Sequence, residues 1–439
     1  MLAVAIYVYG GGTHAPTSQV IRSANAAQQA FDAAKADVDK LTSAGVDLIT
    51  ADQNQALQLL QDAYKQLASA EQAGYPAGEV AALRATVTAN LDRIYGVVKV
   101  ASTDLFTFPA SAGAVHLAGL VRGSDGAPYV LDTGTKTVWR IDLAKKTATP
   151  IAKSGQKTTY GTIADPKVLT TGGPDVLVLD AKNVLWRWRP LGTAGRGTLI
   201  KINITGSATW GTDVKVFATF VSNFSAAFYK LYVVDPSEQN IFVFSPNSDG
   251  SGYTSGSVPR LAANRDVSGI TDLLLDGDIF ATENGAVERL SPATGWKPAA
   301  LRDTAIRPTA TYTFMDSPNR PDGSYTQGVG SLYVFDTTND RIVAFAKLDG
   351  RNVAQYQLAG ESTAWSDLQG MLVVPSTSAD ASPDLWWISS TGLHSSLLVA
   401  VPDGTTASPT PSPSPSASAK PGKTPKPTRS AKPTASTGP

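Results

Sequence analysis

The chain has 439 residues, enough for two or three domains and at least one large core. It carries 37 Lys and Arg against 37 Asp and Glu, so its formal net charge is zero and no overall field attracts nucleic acid or other polyanions. Cysteine is absent and histidine occurs three times, which excludes disulfides, thiol nucleophiles, iron–sulfur clusters and cysteine zinc sites.

Met1 to Tyr9 is uncharged and apolar, but a spanning helix needs about 20 such residues. No basic residue precedes the run, which argues against a signal peptide. Tyr7 and Tyr9 followed by Gly10, Gly11 and Gly12, with no basic residue before Arg22, fit the outer end of a membrane helix begun upstream. Residues 1–12 are therefore expected to be a truncated membrane-helix end and a glycine linker, with the body of the chain outside the cytoplasm. A short apolar strand or helix end packed on the protein is the alternative.

Residues 13–102 read as a three-helix spacer. Val20, Ala24, Ala27, Phe31, Ala34, Val38 and Leu41 step by alternating four and three, one narrow apolar seam along a helix. Ser43 to Gly45 ends it. Thr50 and Gln53 have capping-box spacing ahead of a second seam, Leu57, Leu60, Tyr64 and Leu67, which Gly74-Tyr75-Pro76 breaks. Val80, Leu83, Val87, Leu91, Ile94 and Val98 form a third, so three antiparallel helices with short loops can bury one another's stripes as a bundle or stalk.

From Thr103 a strand pattern replaces the helical period. Tyr129-Val-Leu-Asp132 precedes Val138-Trp-Arg-Ile141, and Leu177-Val-Leu-Asp180 precedes Leu185-Trp-Arg-Trp188. The hairpin recurs as Tyr232 to Asp235 with Ile241 to Phe244, and as Tyr333 to Asp336 with Ile342 to Phe345. Weaker copies run from Ile279 to Thr282 and from Leu385 to Ile388. The marker position repeats at an interval of about 50 residues, the period of propeller blades built from several short strands. Both strands are almost continuously apolar, as expected for a sheet covered on both faces. The fold class is thus multidomain α and β, with the helical region followed by an all-β propeller of about six blades over residues 103–402. Residues 403–439 are a Pro/Ser/Lys-rich tail that cannot offset the entropy of ordering and is expected to be disordered. Its Lys420, Lys423, Lys426, Arg429 and Lys432 could touch a wall polymer or lipid head groups, or simply be solvated.

Asp132, Asp180, Asp235 and Asp336 each close a strand and are expected to cap the following turn. Asn is expected to be tolerated there better than Ala. The candidate ligand contacts are Arg140, Arg187, Arg189 and Arg289; Trp186 and Trp188 read as core. Asp336 to Asp340 spaces oxygen ligands but lacks the central glycine and distal glutamate of a calcium loop. His14, His116 and His394 are scattered and read as unrelated. No serine-nucleophile elbow, phosphate loop or zinc-protease helix occurs. No catalytic residue, metal ligand or cofactor is assigned.

An apolar segment ending in Gly10 to Gly12, an alanine-rich helical spacer, repeats of the Tyr129-Val-Leu-Asp132 type and a Pro/Ser/Lys tail together resemble the extracytoplasmic half of bacterial membrane proteins of the metal-dependent (PPM-type) serine/threonine phosphatase family. The pairs beginning at Asp125, Asp249, Asp322 and Asp349 lack that family's flanking metal-ligand motifs, so no phosphatase residue is carried over. The resemblance implies that this chain is the sensor or scaffold part only, and the expected function is a non-enzymatic, membrane-anchored propeller that binds an extracytoplasmic ligand or protein, without nucleic acid. A metal-dependent propeller hydrolase, lactonase or lyase, and a purely structural assembly module, are the alternatives.

Overall fold

The computed structural model describes residues 18–42, 45–109, 111, 113–192, 195–218, 228–276, 278–291, 295–303, 310–318, 330–359, 364–376 and 382–399. The expectations for residues 1–12 and for the tail 403–439 lie outside the described residues. No described helix is long and apolar enough to cross a membrane.

Four helices come first: α1 (Ser18–Lys40), α2 (Leu48–Ala51), α3 (Gln53–Gln72) and α4 (Ala77–Ile94). The expected capping box of Thr50 and Gln53 does not form. Asp47 instead accepts the Ile49 N–H at 3.0 Å and Asp52 accepts the Gln55 N–H at 3.0 Å, so a short α2 is inserted and α3 gains its own cap. The long helices share one core of Ala34 and Leu41, Ala56, Leu60, Ala63 and Leu67, and Val80, Val87 and Leu91. Small residues alternate with leucine along α3, which lets the helices approach while each buried leucine contributes about 1.5–3 kcal/mol. Val98, read above as the end of the third seam, is not helical. Gly96 takes a positive φ of 62° and ends the helix, and the β-branched run Val97–Val100 forms strand β1.

The rest is a six-bladed propeller. Blade 1 contains Leu117–Arg122, Pro128–Asp132, Thr137–Asp142 and Thr147–Lys153, from the axis outward. Blade 2 contains Pro166–Gly172, Asp175–Asp180, Leu185–Pro190 and Gly197–Lys201; blade 3 contains Lys215–Ala218, Leu231–Asp235, Asn240–Phe244 and Ser257–Pro259. Blade 4 follows as Ile270–Asp276, Asp278–Glu283, Ala286–Ser291 and Gly295–Pro298, and blade 5 as Tyr312–Asp316, Ser331–Asp336, Arg341–Ala346 and Asn352–Leu358. Strand β1 adds to the outer edge of blade 5 in parallel, with Val97 opposite Gln355. Blade 6 has three strands from the C-terminal side, Gly370–Val374, Asp384–Ile388 and Gly392–Leu397. Its fourth is β2 (Thr103–Thr107), which pairs Thr103 with Ser395 and closes the ring.

Apolar cores fill the spaces between successive blades, and this explains the doubly apolar strands. Val176 and Val178 of blade 2 pack with Tyr129 and Leu131 of blade 1, while the intervening Leu177 and Leu179 pack with Val216 and Val233 of blade 3. The last core joins Trp386, Ile388 and Leu393 of blade 6 to Leu117, Val130 and Ile141 of blade 1.

Two marker positions shift by one residue. Ile270 faces Glu283 as Leu117 faces Asp132 and Tyr312 faces Asp336. Glu283, not Thr282, is therefore the equivalent residue, and the same register gives Ser389, not Ile388, in blade 6. The blade 4 hairpin is tighter, with Asn284 and Gly285 at φ of 50° and 81° between paired Glu283 and Ala286.

Candidate active site in the axial channel

The inner strands surround a cavity of about 670 Å³, walled by Val121, Leu169, Phe217, Leu275 and Leu372 among others. Each of five polar side chains set in this wall makes at least one bond to the main chain of the next blade. Lys167 donates to Asn183 Oδ1 at 2.7 Å and to the Thr212 carbonyl at 2.8 Å; Lys215 donates to the Ile270 carbonyl. Thr271 Oγ1 donates to the Thr313 carbonyl at 3.1 Å. Asp272 accepts the Leu273 N–H at 2.8 Å and the Met315 N–H at 3.0 Å, and Asp316 accepts the Val373 N–H at 2.6 Å. Blades 2 to 6 are stitched together around the channel by these bonds.

Burial pushes both carboxyls up to about 6, against the pull of the backbone N–H groups they accept. Asp272 raises Asp316 further through like charge, while Lys215 draws Asp272 down and Lys347 draws Asp316 down. Burial also lowers Lys167 and Lys215. The channel thus gathers two carboxyls that change charge near neutrality and two ammonium groups weakened by desolvation. None of these four residues was singled out from sequence, because only the second and third strands of each blade carry the recognisable repeat.

The four marker aspartates lie away from this wall, at the hairpin corners. Asp180 Oδ1 accepts the Lys182 and Val184 N–H groups at 2.9 and 3.0 Å, and Oδ2 accepts the Ala164 N–H at 3.1 Å and the Trp186 indole at 2.9 Å. Asp132 Oδ1 accepts the His116, Gly134 and Thr135 N–H groups, and Asp235 accepts those of Gly211 and Ser237. Each carboxylate ties its own turn to the segment entering the inner strand, twice the role expected of a local cap. Asp336 accepts the Thr311 N–H and, at 2.9 Å, the Arg341 guanidinium, whose other nitrogens bond Asp303 and Gln355.

The candidate ligand contacts are engaged inside the protein. Arg140 donates to Asp125 at 2.7 Å, Arg189 to both oxygens of Asp175 at 2.6 and 2.8 Å, and Arg289 to Asp278 at 2.7 Å. Each pair ties the third strand of a blade to the start of the second or, at Asp125, to the turn that leads into it, a second repeat signature that the sequence reading missed. Arg187 donates to the Gly250 carbonyl at 3.1 Å and lies 3.9 Å from Asp175. Trp186 is buried and Trp188 half-buried, both against the core between blades 1 and 2. Among the described residues no three His, Asp or Glu side chains converge as metal ligands.

No family model matches the chain, and no curated protein does. Solved structures similar to it are propellers. Virginiamycin B lyase from Staphylococcus aureus is 10% identical over 69% of this chain and 99% of its own, with a TM-score of 0.39. A structure titled a putative gluconolactonase is 12% identical over 68% of this chain and 92% of its own, at 0.41, and a nidogen/laminin complex is 15% identical over 56% and 81%, at 0.36. The six blades are read from this chain's own strand pairing and not from these neighbours. The expectation that this chain is not an enzyme rested on missing linear motifs and is withdrawn, since structures titled as a lyase and as a putative gluconolactonase stand among those similar to it.

Proposed function

We propose that the propeller binds a small organic molecule in its axial channel and acts on it by acid–base chemistry of the lyase or hydrolase kind, with Asp272 and Asp316 as the proton-transferring pair. The observation that carries this reading is the placement of two carboxyls from adjacent blades in the wall of one cavity, both pushed up to about 6. A carboxyl with such a pKa can take or give a proton near neutral pH. Like charge makes the second ionisation harder than the first, so one member holds a proton over a range in which its neighbour is ionised. The cavity has the size of ordinary small-molecule sites, which run from about 300 to 1,000 Å³, and its mixed wall of aliphatic groups with a few polar ones suits an uncharged or weakly polar substrate.

The test is a panel of small lactones and esters, assayed for turnover and for stabilisation of the full chain against heat. Ala118→Phe narrows the channel from an exposed wall position without touching either carboxyl. Binding is expected to be lost in Ala118→Phe, and turnover to fall about 100-fold in Asp272→Asn and Asp316→Asn. Turnover and binding unchanged by all three substitutions would remove the channel from consideration.

A further inference from the structure

In blades 1 and 2 the marker aspartate receives an indole N–H from the third strand, Trp139 to Asp132 at 3.3 Å and Trp186 to Asp180 at 2.9 Å. Leu393 faces Ile388 as Val138 faces Leu131, so in blade 6 Ser389 holds the aspartate's place and His394 the tryptophan's. The contact persists with new chemistry. Ser389 Oγ lies 3.1 Å from His394 Nε2, and His394 Nδ1 lies 2.7 Å from Asp104 Oδ1 on β2. The imidazole stacks on Trp387 at 4.2 Å between ring centres. Gly392 donates its N–H to Ser389 Oγ at 3.0 Å, with the Gly392 carbonyl 3.5 Å from the same hydroxyl. A Cβ at residue 392 would fall 2.9 Å from His394 Nε2, so glycine is what leaves the serine and the imidazole within reach of each other.

We infer that Ser389, His394 and Asp104 form a serine hydrolase site for small esters, separate from the axial channel and assembled only when β2 closes the ring. With the proton on Nδ1, His394 donates to the Asp104 carboxylate, and Nε2 accepts from the serine hydroxyl. Ser389 Oγ bonds to the ester carbonyl carbon as its proton passes to Nε2. The tetrahedral adduct then expels the alcohol, which takes that proton. Water, deprotonated in turn by Nε2, adds to the acyl-serine; breaking the ester bond releases the acid and restores Ser389. Asp104 acts through His394 and is a positioning residue. A turn cap needs only the serine oxygen as acceptor of the Gly392 N–H; the imidazole and the carboxylate behind it are surplus to that role. Ser389 is half-buried and His394 retains 15% of its side-chain exposure, so the pair is shielded while remaining open to solvent on one side.

A fluorophosphonate probe applied to the full chain, followed by peptide mapping, tests this without any variant: the expected adduct is on Ser389. With p-nitrophenyl acetate, Ser389→Ala is expected to lose the burst and His394→Gln to slow acylation about 100-fold. Asp104→Asn should lower kcat about tenfold with KM unchanged, and Asp104→Glu should recover part of the loss. Wild-type protein carrying no adduct on Ser389, or labelling undiminished in folded His394→Gln, would overturn the assignment. Neither result bears on the channel, which shares none of these residues.

Discussion

The helices and the propeller are held by different means. In the helical region the buried side chains are almost all apolar, and Asp37 and Asp92 are the polar exceptions among its described residues. The propeller buries Asp132, Asp175, Asp180, Asp235, Asp278, Asp336, Arg140 and Arg341 as well as its apolar cores. A helix satisfies its backbone internally, so a stripe of alanine and leucine suffices to hold it. A blade covered on both faces must still turn its chain three times, and its corners leave N–H groups that the strand ladder does not pair. Buried carboxylates at those corners accept them.

The sharpest way to break this contrast is Arg341→Ala. It would leave Asp336 and Asp303 facing each other without their cation, and a loss of about 3–5 kcal/mol is expected by denaturant unfolding. A cost below about 1 kcal/mol would mean that the braces are ornamental. Leu60→Ala in α3 should cost about 2–4 kcal/mol through the cavity it leaves. Hydrogen exchange should quicken in α1, α3 and α4 and stay unchanged in the hairpins of blades 1 to 4; acceleration throughout would show the two regions to be one cooperative unit.

Asparagine distinguishes the corners from one another. Both oxygens of Asp180 face donors, so Asp180→Asn turns an amide N–H₂ toward two of them and should cost about 2 kcal/mol. At Asp132 one oxygen takes all three backbone bonds and the other meets the Thr135 hydroxyl, which can turn to accept, and a long Trp139 contact. Asp132→Asn should therefore cost less than about 1 kcal/mol, and equal melting temperatures for the two variants would refute the distinction.

A further test lies in the pH dependence. Asp272 and Asp316 are pushed up to about 6 in the folded protein, above the ordinary carboxylate value. The native state then holds more protons than the unfolded chain between about pH 4 and pH 6, so their contribution to stability falls as pH rises through that window and is flat above it. Asp316→Asn should flatten the curve by on the order of 2–3 kcal/mol relative to wild type. An unchanged slope would place this carboxyl in water.

The propeller was legible because its second and third strands are buried on both faces and repeat Leu177-Val-Leu-Asp180 and its kin at a constant interval. The inner strands carry no such signature, since each wall position differs from blade to blade: Ala118, Lys167, Lys215 and Thr271 all line the mouth of the channel. Asp272 and Asp316 could not be told from surface carboxylates. Ser389 was hidden by a register one residue short, and its partner Asp104 by a separation of 290 residues from His394. The arginines Arg140, Arg189 and Arg289 looked like ligand contacts because their aspartates stand at or just before the far end of the neighbouring strand, 11 to 15 positions away.

Ring closure by β2 sets an order of events on the ribosome. Thr103 emerges almost 300 residues before its partner Ser395, and Val97 precedes Gln355 by nearly as many. At about 5–20 residues per second, both strands wait roughly 15–60 s with open edges while the blades between them are made. During that interval a second nascent chain on the same message offers the same pairing surface. Slow codons ahead of blade 6 would thus raise the yield of chains joined through exchanged β2 strands, and a dimer of two interlocked rings would be their product.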